Sequence, residues 1–158
     1  MTELKNDNGM KWLSIIIQWA LSALGAGIAL VGALGIGASQ PNAPDASIWP
    51  MPGLVLLEWA VLGLLGFVGF IAEASWKRIF NLTVTWYVVG ALIPMMVIGA
   101  FTIGPLVLMT LLAFLVAALL ASAQAKGNWL IYFRTLLIGA ISNLVLLYLF
   151  ILLGRAHF

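Results

Sequence analysis

The sequence predicts an all-α, polytopic membrane protein with five transmembrane helices, its N-terminus inside and its C-terminus outside. The first observation is composition: apolar residues make up 64% of the 158-residue chain and charged residues 8%. Ordinary soluble domains are about 45–50% apolar and about 25% charged. A soluble fold of this length could not hide so much apolar surface from water, so lipid is expected to cover part of it.

The second observation is the position of the positive charges relative to five apolar segments. The inner segments would hold Lys5, Lys11, Lys77, Arg78, Lys126 and Arg134, and the outer segments Arg155. Cytoplasmic segments of membrane proteins carry an excess of Lys and Arg, so six against one favours five crossings. If residues 82–124 formed a single helix instead, the bias would fall to five against two.

The first helix is predicted over residues 12–38, after a loose polar tail at residues 1–10. Small residues recur along it at every fourth position: Gly25, Ala29, Ala33 and Gly37. A face of this kind lets another helix backbone approach closely in lipid, where packing replaces the hydrophobic effect. We therefore expect this face to pack against the rest of the bundle or against a second copy of the chain.

The second helix is predicted over residues 52–72. The segment before it, residues 39–51, contains three prolines and cannot continue a helix. Pro52 itself suits the first turn of a helix, because its missing N–H would have no partner there.

The third and fourth helices come from one apolar stretch that is too long for a single crossing of about 20 residues. Gly104 and Pro105 lie near its middle and predict a break at residues 102–105. We expect helices over residues 82–101 and 105–124, with a tight turn in which Gly104 adopts a positive φ. The fifth helix is predicted over residues 129–153, and the whole chain, residues 1–158, is predicted to form one domain.

Glu58 is the main candidate for a binding residue, because it is a carboxylate inside the second predicted helix. Ionisable groups at membrane depth are costly and often mark function. Tyr148 and Arg155, toward the outer end of the fifth helix, are its predicted partners. The alternative is a purely structural polar contact for Glu58, and for Arg155 an extension to the lipid phosphates.

Gln18 in the first helix and Asn143 near the centre of the fifth are candidates for a polar interior. Hydrogen bonds between helices would explain both residues. A polar path through the bundle is the alternative, and it would require them to face the same cavity as Glu58.

The residue inventory limits the possible chemistry. The chain has no cysteine and one histidine, His157, which excludes disulfides, Cys-ligated metals and a His-cluster zinc site within one chain. No catalytic residue, metal site or cofactor is predicted, because titratable groups do not converge. No basic patch is dense enough to indicate nucleic-acid binding.

Three classes of function remain, all for a small protein of the bilayer, most simply the plasma membrane of a bacterium. The first is an interaction or accessory subunit, or a homo-oligomer, that packs on other membrane helices through its glycine-rich faces. The second is a transporter or channel component for an ion or small solute, centred on Glu58. The third is a lipid-modifying or intramembrane enzyme.

Overall fold

The computed structural model describes residues 3–39, 52–73, 78–125 and 128–156. These residues form five α-helices, which confirms the all-helical prediction and the number of helices. The helices are α1 (Glu3–Ser39), α2 (Gly53–Glu73), α3 (Arg78–Ile98), α4 (Gly104–Ala125) and α5 (Trp129–Ala156). Most of the predicted loop at residues 39–51 lies outside the described residues.

The start of α1 differs most from the prediction. The helix begins at Glu3, so most of the tail predicted to be loose is helical. The physical reason is that this segment contains no proline, and its Glu and Lys residues are good helix formers. The polar segment therefore lengthens α1 beyond its apolar part.

The break between α3 and α4 is confirmed, and the reading of residues 82–124 as a single helix is wrong. The backbone N–H groups of Thr102 and Gly104 donate to the carbonyl of Gly99 at 2.9 and 2.6 Å, closing a tight turn. The expected positive φ at Gly104 is not observed. Glycine is needed there for space instead, because a Cβ would lie 2.9 Å from the Gly99 oxygen.

Helices α1 to α4 form a ring in chain order, with α1 opposite α3 and α2 opposite α4. Helix α5 lies outside this ring, packs along α3 and touches α2 only briefly. Helix α3 is therefore the most enclosed element, while most of the surface of α5 is exposed and apolar.

Small residues allow close packing of the helices in the ring of α1 to α4. The ring of Phe114 on α4 fits between α1 and α2, where a Cβ on Gly25 would come within 3.0 Å of it and a Cβ on Gly66 within 2.6 Å. On the same face of α1, a Cβ on Gly63 of α2 would lie 2.5 Å from the Ala29 methyl group. The small-residue face of α1 thus packs within the bundle, as one form of the prediction stated.

Ala33 is also buried in this face, but Gly37 has no atom within 4 Å of the position of an added Cβ. The packing surface of α1 therefore ends before Gly37.

Helices α3 and α5 cross with their backbones in contact. A Cβ on Gly90 would lie 2.0 Å from the Leu136 carbonyl oxygen, and one on Gly139 would lie 2.2 Å from the Tyr87 carbonyl oxygen. The sequence pattern does not mark these two glycines, because neither belongs to a repeating stripe of small residues.

Four helices are long and apolar enough to cross a membrane among the residues described: Trp12–Ser39, Gly53–Ile71, Gly104–Ala125 and Trp129–Arg155. The apolar part of α3, Leu82–Ile98, is shorter, and its neighbours cover it on three sides. The fold is that of a membrane-embedded helical protein.

Candidate functional site

The candidate site lies where α2 meets α5. The Nδ2 group of Asn143 on α5 donates a hydrogen bond to Oε1 of Glu58 on α2, at 2.5 Å. Asn143 is buried and Glu58 is half-buried. The structure thus joins Glu58 to Asn143, two of the predicted residues, across 85 positions of sequence.

Two contacts with α3 set the rotation of α5 that points Asn143 at α2. Gly139, one turn before Asn143, lets the α5 backbone rest on the carbonyl of Tyr87. The Tyr87 hydroxyl and the Ser142 hydroxyl also share a hydrogen bond of 2.9 Å. At about 1.5 Å per residue, Asn143 lies about 20 Å from either end of α5, whereas Glu58 lies about 8 Å from the start of α2.

The hydrogen bond leaves polar atoms of both side chains without a partner. Oε2 of Glu58 and Oδ1 of Asn143 are buried and have no hydrogen-bond partner, and the same holds for the indole Nε1 of Trp59. An unsatisfied buried polar atom costs roughly 1–3 kcal/mol. Buried groups of this kind call for an explanation, and a ligand or a bound proton is one.

Tyr148 and Arg155 are not the partners of Glu58, so the predicted pairing is wrong. Both side chains are exposed, with Tyr148 at 60%. The reason is helical register: at about 100° per residue, Tyr148 lies about 140° around α5 from Asn143, and Arg155 about 120°. Their depth is wrong as well, because Tyr148 lies about 8 Å and Arg155 about 18 Å along α5 from Asn143.

Gln18 belongs to a separate polar contact between α1 and α4. Its Nε2 donates to Ser14 at 3.2 Å, and Gln124 of α4 donates to the same hydroxyl at 2.5 Å. The bond from Gln18 lies within α1, and the bond between helices is the one from Gln124 to Ser14, so Gln18 does not itself make the predicted interhelical hydrogen bond. Neither bond joins Gln18 to Glu58.

A cavity of about 260 Å³ lies at the end of the bundle where α2 begins and α3 ends. Its lining is almost entirely apolar and includes Val55 of α2 and Leu147 of α5. Val55 precedes Glu58 by three residues and Leu147 follows Asn143 by four, so each lies one turn toward this end. The polar pair therefore lies about one helical turn, roughly 5 Å, below the cavity-lining residues.

An aromatic cluster, missed in the sequence, links α3 to its neighbours. The Trp86 indole donates to Ser122 of α4 at 2.9 Å and stacks on Tyr132 of α5, with ring centroids 6.0 Å apart. Trp129 meets Trp86 edge-on. The packing of these rings and the satisfied indole N–H give the cluster a structural role.

Within the residues that the structure describes, no three His, Cys, Asp or Glu side chains come together as a possible metal site. Comparison with known proteins finds no matching family model, curated protein or solved structure. The proposals for function therefore depend on the Glu58–Asn143 pair and its surroundings.

Proposed function

We propose that this chain is a transporter or channel component that binds an ion or small solute between α2 and α5, with Glu58 as the binding group. The observation that carries the proposal is the Glu58–Asn143 contact, which leaves one buried oxygen of each side chain without a partner. A carboxyl at this depth is costly and is by default a functional candidate. Two unsatisfied oxygens add to that cost unless something binds them.

The position of α5 supports movement at this site. Helix α5 is held mainly by α3, through the Gly90–Gly139 crossing, and touches α2 only briefly. A small rotation of α5 about that crossing would part Asn143 from Glu58 without disturbing the ring of α1 to α4. The pair could then alternate between closed and accessible states.

The proposed orientation places the N-terminus inside and the C-terminus outside a bacterial plasma membrane. The positive-inside distribution of Lys and Arg supports it. In this orientation the apolar cavity lies on the outer side, one turn from Glu58. Reporter fusions at Lys126 and after Phe158 test the orientation, and an inside signal after Phe158 would contradict it.

The transport proposal is tested with purified protein in liposomes. Fluxes of H⁺, Na⁺ and K⁺ are measured with ion-sensitive dyes, for the natural sequence and for Glu58→Gln. Gln keeps the shape of the side chain and removes its charge, so we expect at least a tenfold loss of the flux that the natural protein supports.

The matched control is Tyr148→Phe, which alters an exposed polar group on α5 and should leave the flux unchanged. Size-exclusion chromatography and thermal unfolding check that both variants are folded. An unchanged flux in Glu58→Gln would contradict the role of Glu58, and the absence of flux of all three ions in the natural protein would contradict transport of these ions.

A specific observation also favours the second candidate, an interaction subunit or homo-oligomer. Gly27 and Gly35 on α1 have no atom within 4 Å of an added Cβ, and Val31 between them is 72% exposed. Small residues on an outward face permit close approach of another membrane helix.

Because the chain has no natural cysteine, crosslinking can test self-association directly. We expect Val31→Cys to form a disulfide-linked dimer in membranes. Leu112→Cys, at an exposed position of α4, serves as the control and should remain monomeric. Equal crosslinking at both positions, or none at Val31→Cys, would contradict a homo-oligomer built on this face.

A further inference from the structure

We infer that the species held at this site is a proton, carried on Oε2 of Glu58 and donated in a hydrogen bond to Oδ1 of Asn143. The pair would then be a reciprocal carboxylic acid–carboxamide contact with two hydrogen bonds. That the proton is also transported rests on the proposed function, whereas its presence between the two side chains does not.

The argument comes from counting donors and acceptors. An ionised carboxylate only accepts hydrogen bonds, and the oxygen of an amide also only accepts. Once Asn143 Nδ2 has donated to Oε1, the two remaining oxygens are both acceptors and cannot satisfy each other. One added proton turns Oε2 into a donor, and the Oδ1 atom of Asn143 is an acceptor for it.

No nearby cation replaces the proton in the described part of the chain. The described ionisable side chains on α3 and α5, the helices around the pair, are Tyr87, Tyr132, Arg134, Tyr148 and Arg155. Both arginines and Tyr148 are exposed, Tyr132 lies in the aromatic cluster, and Tyr87 is bonded to Ser142. The described side chains of α1 and α4 include no Asp, Glu, Lys, Arg, His or Tyr.

A metal cation suits the site less well than a proton. Hard divalent cations take six or more oxygen ligands, or keep several waters. The pair offers two free oxygens in apolar surroundings, and the neighbouring cavity has an apolar lining that favours a dry space. A proton needs only the two oxygens that are present.

Infrared spectroscopy of the full-length protein in lipid at neutral pH tests this inference. A protonated carboxyl has a C=O stretch above the amide bands, where ionised carboxylates do not absorb. We expect this band in the natural protein, its loss in Glu58→Gln, and a shift to higher frequency in Asn143→Leu. Tyr148→Phe should leave the band unchanged.

Uniform ¹³C-glutamate labelling of the natural protein provides a test that needs no variant. The band should shift with the label, because Glu58 is the only glutamate within the membrane-spanning helices that the structure describes. Absence of the band, or its persistence in Glu58→Gln, would overturn the inference. Its disappearance on adding Na⁺ or Li⁺ would overturn it in favour of a cation site.

The two proposals can fail separately. A band without any proton flux refutes transport of the proton and leaves the proton-bound pair standing. A Glu58-dependent flux of Na⁺ or K⁺ without the band refutes the proton and leaves transport standing.

Discussion

Replacing Gly90 with alanine is expected to weaken the attachment of α5 to α3. The added Cβ would lie 2.0 Å from the Leu136 carbonyl oxygen, whereas ordinary contact begins at 3.4 Å, so the backbones must separate by about 1.4 Å. The obstacle is backbone, which cannot move aside by changing a rotamer. A shift of that size would also stretch the Tyr87–Ser142 hydrogen bond, 2.9 Å long, beyond bonding distance.

The expected loss of stability is about 2 kcal/mol. Overpacking costs typically 1–3 kcal/mol, and the lost hydrogen bond adds about 0.5–1.5 kcal/mol. Alanine has a higher helix propensity than glycine, which stabilises the variant by about 0.5–1 kcal/mol. The costs of overpacking and of the lost hydrogen bond exceed the gain from replacing a helical glycine, so the substitution is expected to be destabilising.

Unfolding of the purified protein in mixed micelles, followed by tryptophan fluorescence against the fraction of SDS, measures this change. The control is Gly27→Ala, where no atom lies within 4 Å of the new methyl group. Only the difference in helix propensity between glycine and alanine acts there, so the free energy of unfolding should stay equal or rise by up to about 1 kcal/mol. If Gly90→Ala were as stable as Gly27→Ala, the close backbone crossing would be refuted.

Two further predictions concern buried hydrogen bonds, and the same unfolding assay measures both. Asn143→Leu should lower the free energy of unfolding by about 1–3 kcal/mol because it leaves Glu58 unpaired, and adding Glu58→Leu should restore part of that loss. If the double variant lost more stability than the two single variants added together, the pairing would be contradicted. Ser122→Ala should cost about 1–3 kcal/mol by leaving the buried Trp86 indole N–H unsatisfied, whereas in a Trp86→Phe background it should cost clearly less. Equal costs in the two backgrounds would show that the bond contributes nothing.

Most of the fold follows from local properties of the sequence. Apolar runs of membrane-spanning length located the five helices, and Gly104 with Pro105 placed the turn between α3 and α4 to within a few residues. The sequence pattern misplaces the start of α1, because the polar composition of the first ten residues predicts an irregular segment. A helix can continue past its apolar part when nothing in the segment breaks it.

The site was only partly predictable. Glu58 and Asn143 were both recognisable as polar groups in apolar helices, but their contact was not, because spacing along a helix gives depth and not rotation about the axis. The rotation of α5 depends on Gly139 lying against the Tyr87 backbone, a contact between segments far apart in the chain. Sequence spacing alone therefore does not distinguish Asn143 from Tyr148 as the partner of Glu58.

The pocket between α1 and α2 that holds the Phe114 ring has a consequence for biogenesis. Its walls include Gly25 of α1 and Gly66 of α2, both of which are synthesised before α4. This pocket forms only when α1 and α2 pack together, through contacts such as the one between Ala29 and Gly63. Domains generally form in the order of synthesis. Insertion of the N-terminal hairpin therefore prepares the docking place for α4, and a delay in its pairing would leave a phenylalanine exposed to lipid until the earlier helices close around it.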